Sequence, residues 1–103
     1  MMSRVLVGTD GSPTAARAVD RAVELAAAFG AALTILMAGP EPGAADVVAA
    51  EARRHAGAGI TIDTAVDARD AASALLDVVE EGNYDLLVVG NRGMTGAGRS
   101  FLG

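Results

Sequence analysis

The 103-residue chain has no cysteine and no lysine, and all eight of its basic residues are arginine. Without cysteine there is no disulfide framework, no thiolate zinc site and no thiol nucleophile. Without lysine there is no phosphate-gripping Walker lysine, no Schiff base and no protein-kinase lysine. The single histidine, His55, excludes a multi-histidine metal centre. Aromatic residues make up only 3% of the chain, so a core has to be built from Ala, Val, Leu and Ile. No apolar run approaches the roughly 18 uncharged residues of a membrane helix. Arg4 is followed by a strand-like run and Asp10, not by a long apolar segment with a cleavage site, so no signal peptide is read and a cytoplasmic location is expected. The net charge of −5 and a pI near 4.6 oppose a basic nucleic-acid face or a polybasic membrane surface.

What is present is apolar and glycine-rich. The chain is 51% hydrophobic with 13 glycines, and its mean hydropathy is +0.37. That suits one globular domain with a real core and rules out disorder. Strand-like and helix-like segments alternate. Arg4–Thr9 is a short β-branched run. Ser12 and Pro13 are good cap and first-turn residues for a helix over Pro13–Phe29 that Gly30 stops. Ala32–Ala38 reads as a second buried strand and Ala44–Ala56 as an Ala-rich helix. Ile60, Ile62, Thr64 and Val66 alternate with Thr61, Asp63 and Ala65, giving a third strand with one wetter face. Asp70 caps a third helix over Ala71–Glu81, with Ala72, Leu75, Leu76 and Val79 inward and Gly82 closing it. Asp85–Gly90 is a fourth continuous apolar strand.

This alternation predicts an α/β fold with an open parallel sheet, helices on both faces and Rossmann-like winding. Strands one, two and four have the continuous apolar character of strands covered on both faces. The alternating third strand belongs at an edge. Right-handed crossovers then give the order 3-2-1-4. Strand four is left at the other edge, which invites a further strand or a partner.

In that order the connections leaving strands one and four diverge, and ligands of open α/β sheets bind at such a point, beyond the carboxyl ends of the strands. Two segments converge there, Gly8-Thr9-Asp10-Gly11-Ser12 and the Gly-rich stretch from Gly90 to Gly103. The glycines at 90, 93, 96 and 98 permit close backbone approach and present N–H groups to an anion. The same stretch carries Arg92 and Arg99 and no acid, on a chain that is acidic overall. A locally basic glycine loop suits a phosphate. Its plain alternative is a fraying tail. Asp10 has two readings, a ligand contact or a carboxylate that complements the helix start. Ser12 reads as a cap and not a nucleophile, since no histidine accompanies it. His55, beside Arg53 and Arg54, suits a helix C-terminus. Met37 reads as core, and Met94 as core or as a contact for a base. Of the acids Asp63, Asp67 and Asp70, Asp70 is explained as a cap and alternation turns Asp63 outward.

Gly90-x2-Gly93-x9-Gly103 resembles the nucleotide-binding motif Gly-x2-Gly-x9-Gly-(Ser/Thr) of the universal stress protein family. Val7-Gly8-Thr9-Asp10-Gly11-Ser12, the stretch Asp70 to Leu76, and Asp85 to Gly93 are similar to its members as well, so the resemblance spans the chain. It implies an adenine-nucleotide-binding sheet ordered 3-2-1-4-5 and a single domain over residues 1–103. That domain lacks the family's last helix and its fifth strand, which commonly builds a homodimer. The motif's closing Ser/Thr would be residue 104. Carried over by position, Asp10 lies beside ribose and adenine, with Thr9 in the same pocket. Ala38 offers backbone to the adenine, Val89 and Gly90 line the nucleoside, and Gly93 and Gly103 cradle the phosphates. Arg92 and Arg99 join the phosphate set on charge alone. The ligand implied is ATP, with Mg²⁺ carried on its phosphates. The implied role is a stress-response regulator or nucleotide sensor and not an enzyme, although slow hydrolysis stays open. Three other functions compete. A phospho-receiver domain requires clustered acids and a lysine. An adenylating enzyme requires a Ser-Gly-Gly-x-Asp-Ser loop after strand one. Neither pattern is present. The third is a non-nucleotide interaction module that dimerises or recruits a partner through strand four and the tail.

Overall fold

The computed structural model describes residues 2–40 and 42–90. The chain runs β1 (Arg4–Thr9), α1 (Pro13–Phe29), β2 (Ala32–Ala38), α2 (Ala44–Arg54), β3 (Ile62–Asp67), α3 (Ala71–Gly82) and β4 (Leu86–Val89). The strands form one parallel sheet ordered β3-β2-β1-β4, with Val7 opposite both Ile35 and Val88. Both the α/β class and the strand order are those the sequence implies.

Side-chain alternation divides the core between two faces. Val5, Val7, Leu33, Ile35, Met37 and Val88 meet Ala18, Val19, Ala22 and Val23 of α1 and Val48 of α2 on one side. Leu6, Leu36, Leu87 and Val89 meet Leu75 of α3 on the other. Each fully buried Val, Leu or Ile contributes about 1.5–3 kcal/mol. Alanines at 15, 18, 22 and 26 are the buried small residues of α1 and let its backbone ride close to the sheet. β3, with one neighbouring strand, is the least buried, and Val66 is exposed there.

The ends of α1 explain its length. The Ser12 hydroxyl accepts the Ala15 N–H at 3.1 Å, and Pro13 fills the first turn. At the other end Gly30 takes a left-handed φ of 67°, the Gly30 N–H donates to Ala27 and the Ala31 N–H to Ala26. That pair of bonds is a Schellman stop. Asp20 ties α1 to α2, accepting from Arg54 at 2.7 Å and lying 2.9 Å from His55 Nε2. His55 is itself the cap residue of α2, so its place at a helix C-terminus is as expected.

Two readings of α3 need correction. Gly82 does not close the helix; it is the last helical residue, and Asn83 supplies the left-handed cap at φ 55°. Position 82 needs glycine for another reason, because a Cβ there would collide with the Tyr84 ring. Nor do Ala72 and Leu76 face inward: both are exposed, while Ala74 and Leu75 are buried. At 100° per residue the buried stripe runs through 74, 75, 78 and 79, which puts Leu76 off its edge.

The amino ends of the strands are locked. The Asp85 carboxylate accepts the Ser3 and Arg4 N–H groups at 2.8 and 3.0 Å. The Tyr84 hydroxyl donates to Thr34 Oγ1 at 2.7 Å, and the Arg4 guanidinium lies 4.4 Å from the centre of the Tyr84 ring. These contacts fix where β4 begins, and so where it ends. No helix among the described residues is long and apolar enough to cross a membrane.

Candidate functional site

A cleft lies beyond the carboxyl ends of β1, β2 and β4, on the α3 side of the sheet. Gly8, Thr9, Asp10, Leu36, Ala38, Leu75 and Val89 line it, and it holds about 40 Å³. The register brings these residues together: Gly8 stands opposite Leu36 on one side and Val89 on the other. Gly8 forms the floor. A Cβ there would lie 3.1 Å from one Leu75 methyl and 3.5 Å from Val89 Cγ1, so a side chain at position 8 would fill the cleft from below.

The turn from β1 into α1 is held by its own side chains. Thr9 is buried, and its hydroxyl accepts the Gly11 N–H at 3.1 Å. Asp10 is exposed, and its Oδ1 accepts the Ser12 N–H at 2.9 Å. Hydrogen bonding from Ser12 holds the Asp10 carboxyl below its ordinary value, partly offset by burial. Asp10 is therefore an anion at the rim of the cleft. A carboxylate so placed accepts from hydroxyl groups.

Beside Ala38, the Asp67 carbonyl accepts the Gly39 N–H at 2.8 Å, closing the β2 and β3 ends together. Arg69 Nη2 lies 2.6 Å from Asp67 Oδ2, and Nη1 bridges to Asp77 on α3. The Arg69 guanidinium holds the Asp67 carboxyl down at about 2. Asp67, one of the three acids of the sequence cluster, is thus engaged by a cation, and Asp70 caps α3 by accepting from Ser73 at 3.1 Å.

Of the residues singled out from the sequence, the structure gathers Thr9, Asp10, Ala38 and Val89 around one cleft. Gly90 follows Val89 but turns to α1, where a Cβ would come within 2.5 Å of Ala18 Cβ and 3.1 Å of the Thr14 carbonyl oxygen. Arg92, Gly93, Arg99 and Gly103 lie outside the described residues. Two lining residues, Leu36 and Leu75, were not singled out, and Gly8 was named only as the start of the converging segment. For Gly8 a signal existed, a glycine inside an apolar strand run. Leu36 and Leu75 carry none, since each reads as ordinary core in its own element.

The family model described as "Universal stress protein family" matches residues 1–51 and 36–103, which together span the chain. The chain belongs to the universal stress protein family. It is 33% identical to "Universal stress protein Rv1636" of Mycobacterium tuberculosis, over 96% of this chain and 82% of that protein. A crystal structure of a universal stress protein in complex with cAMP matches with a TM-score of 0.82 and 39% identity, covering 94% of this chain and 79% of that one. An Arabidopsis thaliana universal stress protein family structure with AMP bound has a TM-score of 0.75 at 14% identity over 93% of this chain and 81% of that one, a likeness of fold.

Proposed function

We propose that this universal stress protein binds an adenine nucleotide in the cleft between β1 and β4 and acts as a nucleotide sensor or stress-response regulator. The observation that carries the reading is the cleft itself: a glycine floor, apolar walls and one rim carboxylate at the switch point of the sheet. Apolar walls suit the faces of a base, and Asp10 suits ribose hydroxyls. The 39%-identical structure in complex with cAMP supports the ligand class. In the finer reading the ligand is ATP with Mg²⁺ on its phosphates. Thr9, Asp10, Ala38, Val89 and Gly90 then attend the nucleoside, and Arg92, Gly93, Arg99 and Gly103 attend the phosphates. The mechanism is binding and not turnover. A nucleotide biases whichever conformation of the protein it contacts better, and a partner reads that conformation.

Calorimetric titration with Mg-ATP, AMP, cAMP and adenosine tests this. The expected result is binding of the nucleotides, with adenosine much weaker. A folded protein that gives no heat with any of the four overturns the reading. A second reading, an interaction module working through β4, draws on the position of that strand at the end of the sheet. Concentration-dependent self-association that is indifferent to nucleotide favours it.

A further inference from the structure

We propose that Leu75 sets how far a nucleobase enters the cleft, and so which bases it accepts. This rests on the nucleotide reading and adds a determinant from α3, an element to which the sequence motifs assign no ligand role. Leu75 is only 7% exposed, and its two methyl groups lie over Gly8, in the space a side chain at position 8 would take. The other apolar walls, Leu36, Ala38 and Val89, stand on strands whose positions the ladder fixes. Leu75 is the wall that comes from a helix. That helix is anchored at its start by the Asp70 cap and by Arg69, which bridges Asp67 to Asp77. With the backbone pinned at both the strand and the helix, the Leu75 rotamer is the adjustable part.

Size makes the point decisive. A volume of about 40 Å³ admits on the order of a few waters, and adenine is far larger than that. A base therefore enters fully only as Leu75 yields, and otherwise rests on the rim above it. The side chains of Leu36, Leu75 and Val89 carry no hydrogen-bonding groups, so along these walls the discrimination is by shape. Apolar pockets discriminate by shape at about ten- to two-hundredfold per small change of volume.

The test compares wild type, Leu75→Ala, the milder Leu75→Val and the exposed control Leu76→Ala. Each is checked for folding by circular dichroism and titrated with AMP and with its N6-benzyl and 8-bromo derivatives. In Leu75→Ala at least one derivative gains about tenfold in affinity relative to AMP. Leu75→Val shows the same gain in smaller measure, and Leu76→Ala keeps wild-type ratios. If wild type binds AMP and a folded Leu75 variant keeps the wild-type ratios for both derivatives, the role of Leu75 is overturned and the nucleotide reading stands. If wild type binds nothing, the nucleotide reading is overturned and the role of Leu75 in base selection falls with it, whatever Leu75→Ala binds. Should Leu75→Ala not fold, Leu75→Val decides by the same ratios.

Discussion

The Cα of Gly90 stands so close to α1 that a methyl group on it would come within 2.5 Å of the Cβ of Ala18. The first glycine of the Gly-x2-Gly-x9-Gly pattern is thus a packing glycine in this fold: it lets β4 hand the chain on while pressed against the helix that follows β1. The helix contributes its own small residue at the same point. Gly90→Ala forces β4 and α1 apart and is expected to cost about 1–3 kcal/mol. Ala18→Gly alone costs about 1 kcal/mol through helix propensity. If the contact is direct, the double variant is more stable than the sum of the two losses requires. Urea denaturation of the four proteins measures the coupling, and strict additivity would remove it.

The same residue shows how far the sequence could be read. Strand order followed from hydrophobic pattern and right-handed crossovers together, because the continuous run at Leu33–Met37 needs cover on both faces and the alternating run at Ile62–Val66 suits an edge. Placing Thr9 and Asp10 at the cleft followed from that order, whereas Val89 and Ala38 came from the family resemblance. Distances across elements did not follow. Nothing in the pattern of α3 distinguishes Leu75, which reaches Gly8, from Leu76, which is 55% exposed. A one-residue difference in helical phase decides between them, and periodicity over a 12-residue helix blurs it. Gly82 and Gly90 were legible as glycines but not as neighbours of Tyr84 and Ala18, since each partner is fixed by tertiary packing.

Asp10 separates the demands of fold and ligand. The helix cap is Ser12, so losing the Asp10 carboxylate removes one exposed hydrogen bond to the Ser12 N–H and leaves the cap in place. Asp10→Ala is expected to cost less than about 1 kcal/mol in stability and to weaken AMP and ATP about tenfold. Ser12→Ala is expected to do the reverse, costing about 1 kcal/mol with little change in affinity. Paired melting and titration curves check both. An Asp10→Ala protein that melts early and binds normally would make Asp10 a structural residue only.

The Asp67 carboxyl offers a pH signature. Its value of about 2, against an ordinary 3.8, comes chiefly from the Arg69 side chain. The folded state binds this proton more weakly than the unfolded chain does. The contribution is therefore complete above about pH 4 and is lost as pH falls toward 2. The pair is exposed, which keeps its effect on stability small and makes the titration itself the better measurement. Arg69→Met is expected to return Asp67 toward 3.8, seen in the carboxyl chemical shift by NMR. An unchanged Asp67 titration would mean that the backbone N–H of residue 69 alone holds it.

Tyr84 tests whether the two ends of the sheet are independent. Its hydroxyl donates to Thr34, which is only 8% exposed, at the amino end of the strands and away from the cleft. Tyr84→Phe keeps the ring that Arg4 covers and the packing against Gly82, and deletes one hydrogen bond. The Thr34 hydroxyl loses its donor in a nearly buried site, so the expected cost is about 1–2 kcal/mol. Because β4 also begins on the Asp85 clamp to Ser3 and Arg4, its register should hold without the Tyr84 bond. Val89 then stays opposite Gly8, and nucleotide affinity should match wild type within twofold. Urea denaturation gives the first quantity and calorimetry the second. A large loss of affinity in a folded Tyr84→Phe protein would mean that the amino-end lock sets the position of β4 through Tyr84 and that the cleft depends on it.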